Sequence, residues 1–312
     1  MRTIFIVNPA AGKRGKPLRL LPEIQAYFSA HPEAGSYKCR VTSAPGEARD
    51  IARTEAEAGD EARIIACGGD GTLMEAAEGL YAGLSGRSGA ALGCIPCGSA
   101  NDFVRSFPGF DFRDLDALIR GEVRRVDAIR CGDRVALNLC SMGMDAEVAA
   151  KKDRYKRLPL VSGPLAYQMA IVDVFCHRIG KDLRVVMDTP GGTVEESGRY
   201  FFALAASGQY YGGGYRGAPE AVPDDGLLDF ILVKAMPRIR VPGFLSRYKR
   251  GEHLDMEGCS RYRGIRMRVL CDGEAAVNLD GECHTAREAA FEILPGAIPF
   301  LFPARAKADG HL

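Results

Sequence analysis

The stretch that decides the fold is IIACGGDGTLMEAAEGL, residues 64–80. Four apolar residues, Ile64 to Cys67, end in Gly68-Gly69-Asp70-Gly71-Thr72, and a helix-compatible pattern follows over 73–81. A short apolar run, a glycine turn and a helix in that order make one strand–loop–helix unit. Residues without a Cβ let backbone N–H groups converge on phosphate oxygens, a need that Gly68, Gly69 and Gly71 meet. A helix starting just after Thr72 adds its unpaired amides and the positive end of its dipole. A bare carboxylate beside phosphates is repulsive unless it holds Mg²⁺ or handles the proton of an attacking hydroxyl, so Asp70 points to phosphoryl transfer. Taken alone, the same residues also read as a tight turn with a capping Asp or Thr.

The neighbouring segments repeat the pattern. Strand-like runs at 3–7, 37–42, 63–67 and 91–96 alternate with helical stretches at 18–30, 47–58, 73–81, 100–106 and 114–120. This rhythm predicts a parallel sheet with helices on both faces, whose ligands bind beyond the carboxyl ends of the strands. The three loops there are NPAAGKRG, with Lys13 and Arg14, GGDGT, and CGSAND. Three glycine-containing loops at one sheet edge favour a nucleotide pocket over an isolated turn. Neither G-x-x-x-x-G-K-[ST] nor G-x-G-x-x-G after the first strand is present, which disfavours P-loop and dinucleotide-fold mechanisms.

From about residue 128 the rhythm changes to β-rich runs at 135–142, 183–188, 199–207, 227–233, 265–271, 275–280, 290–294 and 298–302, with one or two inserted helices, the clearest at 164–177. The reading is a nucleotide-binding α/β domain over 1–128, a β-rich domain over 129–296 and a tail over 304–312. The 41 basic and 40 acidic side chains nearly cancel, so no global field recruits nucleic acid. The N-terminal apolar run is short for a signal peptide and no window approaches a spanning helix, so the expectation is a cytoplasmic protein that spans no membrane. Ten scattered cysteines and five unpaired histidines offer no metal framework, and Cys94-Ile95-Pro96-Cys97 has no second pair to complete four ligands.

Together, IVNPAAGKRG, CGGDGTLMEAAEGL, LGCIPCGSANDFVRSF, SMGMDAEVA (141–149), GQYYGGGYRGAPEAVPDDGLLDFILVK (208–234), NLDGE (278–282) and FEILPGAIPFLFP (291–303) resemble the diacylglycerol-kinase catalytic domain family of lipid kinases. The resemblance runs in the family's order over almost the whole chain. It implies an α/β domain like those of NAD kinases and phosphofructokinases, and a mainly antiparallel β-sandwich whose last strand, about 297–303, returns to the first domain. By the same resemblance, Asn8, Pro9, Gly12, Gly68, Gly69, Gly71, Thr72, Gly98, Ser99 and Asn101 line ATP, and Glu75 supports the GGDGT loop. Asp70, Asp102 and Asp127 organise Mg²⁺, and Glu282 is the general base, a role that some members give to the GGDG aspartate. Asp224 and Asp225 resemble a second metal site, and they also read as an Asp-Gly turn before a strand. Departures from the family pattern are Met74 and Glu78 for Asn, Ser99 for Thr, and Pro164 where bacterial relatives carry Lys.

The implied reaction is ATP- and Mg²⁺-dependent phosphorylation of a lipid hydroxyl, first of all diacylglycerol. The alternatives are another lipid such as phosphatidylglycerol or a sphingoid base, NAD or a soluble alcohol, or a non-catalytic binding protein. A transient membrane contact is expected at Lys151, Lys152, Arg154, Lys156 and Arg157 ahead of Leu158 and Leu160. A second basic set, Arg238, Arg240, Arg247, Lys249 and Arg250 around Phe244 and Leu245, could share that surface. Each set also reads as a solvated charged face. The sequence leaves a homodimer open.

Overall fold

The computed structural model describes all residues except 13–14, 85–88, 157, 159–160, 162, 178–179 and 306–312, and no side chain at 152–153, 156, 163–164 or 175–177. Lys13, Arg14, Arg157, Leu160 and the side chains of Lys152, Lys156 and Pro164 therefore lie outside the described residues. The chain forms two compact units, one of Met1–Val126 with the chain from Gly296, the other of Asp127–Pro295.

The first unit contains β1 (Arg2–Val7), α1 (Leu20–Ala30), β2 (Ser36–Val41), α2 (Glu47–Glu57), β3 (Ala62–Gly68), α3 (Asp70–Gly83), β4 (Ala91–Pro96), α4 (Asp102–Arg105) and α5 (Leu115–Ile119). A further strand, β5 (Glu122–Cys131), ends in the second unit. β1 pairs in parallel with β2 on one side and β3 on the other, and β3 with β4. The final strand adds Phe300 opposite Leu92 of β4, also in parallel. Ile4 to Val7 and Ile64 to Cys67 are buried throughout, as strands covered on both faces must be. The chain steps from β1 to β2 and then crosses to β3 on the opposite side of β1. That reversal opens a crevice beyond the carboxyl ends of β1 and β3.

α3 is clamped onto α2 by missing side chains. Ala48, Ala52 and Ala56 recur every four residues along the buried stripe of α2. A Cβ on Gly79 would sit 2.0 Å from the carbonyl oxygen of Arg49, and one on Gly83 2.6 Å from that of Arg53. The two backbones therefore touch, and this fixes the helix that carries Asp70. α3 begins at Asp70 rather than after Thr72, because the Gly69 carbonyl accepts the amides of Thr72 (3.0 Å) and Leu73 (3.1 Å) and closes the first turn over the motif itself. Met74 is a core side chain on α3, and Glu78 pairs with Arg49 at 3.3 Å.

The second unit adds β6 (Arg134–Ala136), β7 (Leu139–Gly143), α6 (Met144–Lys156), α7 (Gly163–His177), β8 (Lys181–Thr189), β9 (Gly192–Ala206), β10 (Leu228–Lys234), α8 (Val241–Arg250), β11 (Cys259–Gly264), β12 (Arg266–Leu279) and β13 (Glu282–Phe302). Its ladder runs β11-β10-β9-β7-β12-β13, antiparallel throughout. β9 and β12 are long enough to change partners, pairing with β8 over one half and β7 over the other. One face buries Met142, Val185, Phe230, Val269 and Phe291, and the other packs Phe201, Phe202 and Leu204 against α6, α7 and α8. From Gly296, β13 belongs to the first unit. Among the described residues no helix is long and apolar enough to cross a membrane.

Candidate active site

Three loops leave the carboxyl ends of β1, β3 and β4 and lock together within the first unit. Asn8, directly after β1, donates from Nδ2 to Thr72 Oγ1 at 2.9 Å, while its Oδ1 accepts the Ala10 amide at 3.0 Å. Gly12, at φ +64°, lies so close to the β4 loop that a Cβ would fall 2.1 Å from the Cys97 carbonyl oxygen. Gly69 and Gly98 press backbone on backbone, since a Cβ on Gly98 would be 2.5 Å from Gly69 Cα. A Cβ on Gly68 would strike the Thr72 side chain at 2.4 Å. Gly12 and Gly98 are thus required by contact between loops, Gly69 lies on the same contact, and Gly68 is required within its own loop by the Thr72 side chain. Gly71 differs: a Cβ there meets nothing within 4 Å, so its backbone faces open space at the start of α3.

The third loop is fixed by Asn101, a non-glycine residue in the left-handed region at φ +53°. Its Oδ1 accepts the Gly98 amide at 2.9 Å and its Nδ2 donates to the Gly98 carbonyl at 3.0 Å, so a single side chain closes the turn. Ser99 is exposed at its tip, Pro9 is half-buried, and Glu75 is half-buried one turn along α3.

Asp70 Oδ1 accepts the Phe103 amide at 3.3 Å, which places the carboxylate beside α4. Burial pushes the Asp70 carboxyl up, against the pull of the amides of residues 101–103. Asp102 is buried, with Arg105 Nε 3.5 Å from its Oδ1. Among the described residues no three His, Cys, Asp or Glu side chains converge as a protein-built metal cage would require. Cys94 and Cys97 are both buried, and burial raises both thiols, as expected of inert core residues.

The other predicted residues lie in the second unit. Asp127 is 2% exposed, and its Oδ2 accepts the Gly226 amide at 2.8 Å while its own amide donates to Pro223 O at 2.8 Å. It therefore anchors the PDDG turn. Asp225 pairs with Arg263 and accepts the Leu227 amide at 3.1 Å; Asp224 is exposed. Behind them the buried Asp229 is held by Arg261 at 2.6 Å and Arg263 at 3.4 Å. Glu282 opens β13 with Arg134 Nη2 2.8 Å from its Oε2.

Sequence reading missed Asp280, two residues before Glu282. At φ +48° its carboxylate gathers the amides of Leu137 (2.6 Å), Asn138 (3.1 Å) and Leu139 (2.8 Å). It ties the β12–β13 turn to the entrance of β7. The left-handed Asp-Gly turn was a visible signal, but its targets more than 130 residues away were not.

Comparison with known proteins gives a consistent picture. Residues 2–131 match the diacylglycerol kinase catalytic domain and residues 138–302 the YegS C-terminal NAD kinase beta sandwich-like domain. The chain is 32% identical over 285 residues to a protein of Pseudomonas aeruginosa named "Probable lipid kinase YegS-like", covering 90% of each. It is 27% identical to a diacylglycerol kinase of Bacillus subtilis, over 90% of this chain and 89% of the other. The fold is similar to a crystal structure of a diacylglycerol kinase from Bacillus anthracis, with a TM-score of 0.68 at 19% identity over 96% of each chain.

Proposed function

We propose phosphoryl transfer from ATP to the hydroxyl of a membrane lipid as the activity of this chain, which belongs to the lipid kinases that join a diacylglycerol kinase catalytic domain to a YegS-type C-terminal domain. The observation that carries the reading is the interlocked loop cluster at the ends of β1, β3 and β4, with open space over Gly71 and a carboxylate in the first turn of α3. Backbone amides at that helix start bind and orient the phosphates.

The donor set fits Mg²⁺. Asp70 and Asp102 offer hard oxygen ligands, and the desolvated Asp70 carboxyl is stabilised by a cation. Mg²⁺ commonly takes one or two carboxylates and completes its shell with water and phosphate, so no three-ligand protein cage is needed. Bound there, it would neutralise charge on the β- and γ-phosphates. Glu282 acts as the base: it takes the proton of the lipid hydroxyl as that oxygen attacks the γ-phosphorus and the bond to ADP breaks. Asp127, Asp224 and Asp225 have a structural assignment of their own, the PDDG turn, with which a metal at Asp224 and Asp225 must compete.

Diacylglycerol is the proposed acceptor, supported by the names of relatives such as the Bacillus subtilis enzyme. The test is transfer of labelled γ-phosphate from ATP and Mg²⁺ into diacylglycerol, phosphatidylglycerol, a sphingoid base and a polyprenol in mixed micelles, with NAD as a soluble acceptor. The expected product is labelled phosphatidic acid. Label in a water-soluble product alone would make the protein a soluble-substrate kinase, and no label in any acceptor would make it a binding protein.

A further inference from the structure

The second basic segment folds as a short 3-10 turn, Arg238–Arg240, that runs directly into α8. α8 has two distinct sides. Val241, Phe244 and Tyr248 are buried at positions i, i+3 and i+7, while Arg247, Lys249 and Arg250 face outward. Phe244, around which that basic set was read, is wholly buried and Leu245 is partly buried, so neither is the side chain that reaches out. The side chain that does is Ile239. It is 88% exposed, the most exposed large hydrophobic among the described residues, and it stands between the exposed Arg238 and Arg240.

A single exposed apolar side chain is ordinary. One bracketed by two arginines and continued by three more outward basic residues has the composition of a surface that enters the interface of an anionic bilayer. We infer that the 238–240 turn and the outward face of α8 dock on an anionic phospholipid surface, with Ile239 entering the headgroup boundary and the flanking arginines meeting lipid phosphates. The inference rests on the lipid-kinase reading and names the surface through which the second unit meets its membrane.

The charge balance sets the strength. Five basic residues stand against Glu252, Asp255 and Glu257, an excess of two. The pairs Arg240–Glu257 (3.4 Å) and Arg250–Glu252 (2.7 Å) are exposed and release at little cost. Each basic charge near an anionic leaflet strengthens partition about fivefold. Docking is therefore reversible and salt-sensitive. In the earlier basic segment the Lys151 ammonium is held by Asp173 at 2.8 Å.

The test is flotation of the full chain with vesicles of phosphatidylcholine alone and of phosphatidylcholine mixed with phosphatidylglycerol, at low and high salt. Binding is expected only to the anionic vesicles at low salt. Ile239→Asp and the double variant Arg238→Ala/Arg240→Ala should each weaken it at least about fivefold. Both variants should retain wild-type phosphoryl transfer to a short-chain diacylglycerol dissolved as monomer. Equal partition of wild type and Ile239→Asp, equal binding to neutral and anionic vesicles, or no vesicle binding at all would each overturn the inference. Patch-dependent vesicle binding without transfer to any lipid would sustain it while rejecting the kinase reading.

Discussion

Asp145 and His253 are buried titratable groups of the second unit that the proposed chemistry does not use, and they pull stability in opposite directions with pH. Asp145, in the first turn of α6 and 5% exposed, is pushed up to about 7 by desolvation, against the Ser141 hydroxyl and the local amides. Its native form binds a proton more tightly than the unfolded chain, so its contribution is fully present below about pH 4 and is lost as pH rises towards 7. His253, wholly buried with Nε2 on the Gly217 carbonyl at 3.1 Å, is lowered to about 4 by desolvation. The unfolded chain takes up that proton first, so stability falls as pH drops from about 6.5 to 4. Melting curves across this range should show Asp145→Asn raising Tm at pH 8 and converging on wild type near pH 4, because Asn imitates the protonated acid. His253→Gln should flatten the acid limb only. Asp280→Ala should lower stability by about 2–3 kcal/mol in urea unfolding, since three backbone amides lose a charged acceptor. Asp280→Asn should recover part of that loss, because Asn tolerates positive φ and keeps one acceptor. Individual glycines of the site were legible in the sequence. Their division of labour was not, because only the packed loops reveal that Gly12, Gly69 and Gly98 serve contact between loops, Gly68 makes room for the Thr72 side chain and Gly71 serves the open side.

At the scale of elements, the contact between α2 and α3 positions the helix that carries Asp70. Gly79→Ala would add about 1 kcal/mol of helix propensity in isolation. Here the new methyl would collide with the Arg49 carbonyl, so the expected net effect is destabilisation of about 1–3 kcal/mol, read as a lower urea midpoint. A stabilised Gly79→Ala variant would contradict this packing. The parallel strands β1, β3 and β4 of the first unit were legible because continuous burial writes itself as apolar runs. In the second unit, two pairs of apolar runs proved to be single strands, β12 and β13. The register shift between Leu270 and Ala275 is what broke β12 into two signals. α6 was not placed because its second half, KKDRYK, is charged at every position but Tyr155 and carries no apolar periodicity. The start of α3 was misplaced by three residues because glycines argue against helix, whereas here Gly71 is helical within the first turn.

At the scale of the molecule, each unit has its own core, and the proposed chemistry divides between them. In that proposal Asp70 and the glycine loops, of the first unit, handle nucleotide, and Glu282, of the second, accepts the proton. The measurement that tests this division most directly compares ATP affinity, by titration calorimetry with Mg²⁺, and lipid phosphorylation rate in Glu282→Gln and Asp70→Asn. Glu282 is partly exposed in its pair with Arg134, so the amide should fold normally. The account predicts that Glu282→Gln binds ATP as wild type does while its turnover falls by roughly 10²–10⁴, and that Asp70→Asn loses Mg²⁺-dependent ATP affinity as well as turnover. Wild-type turnover in Glu282→Gln, or undiminished Mg²⁺-dependent ATP binding in Asp70→Asn, would contradict it.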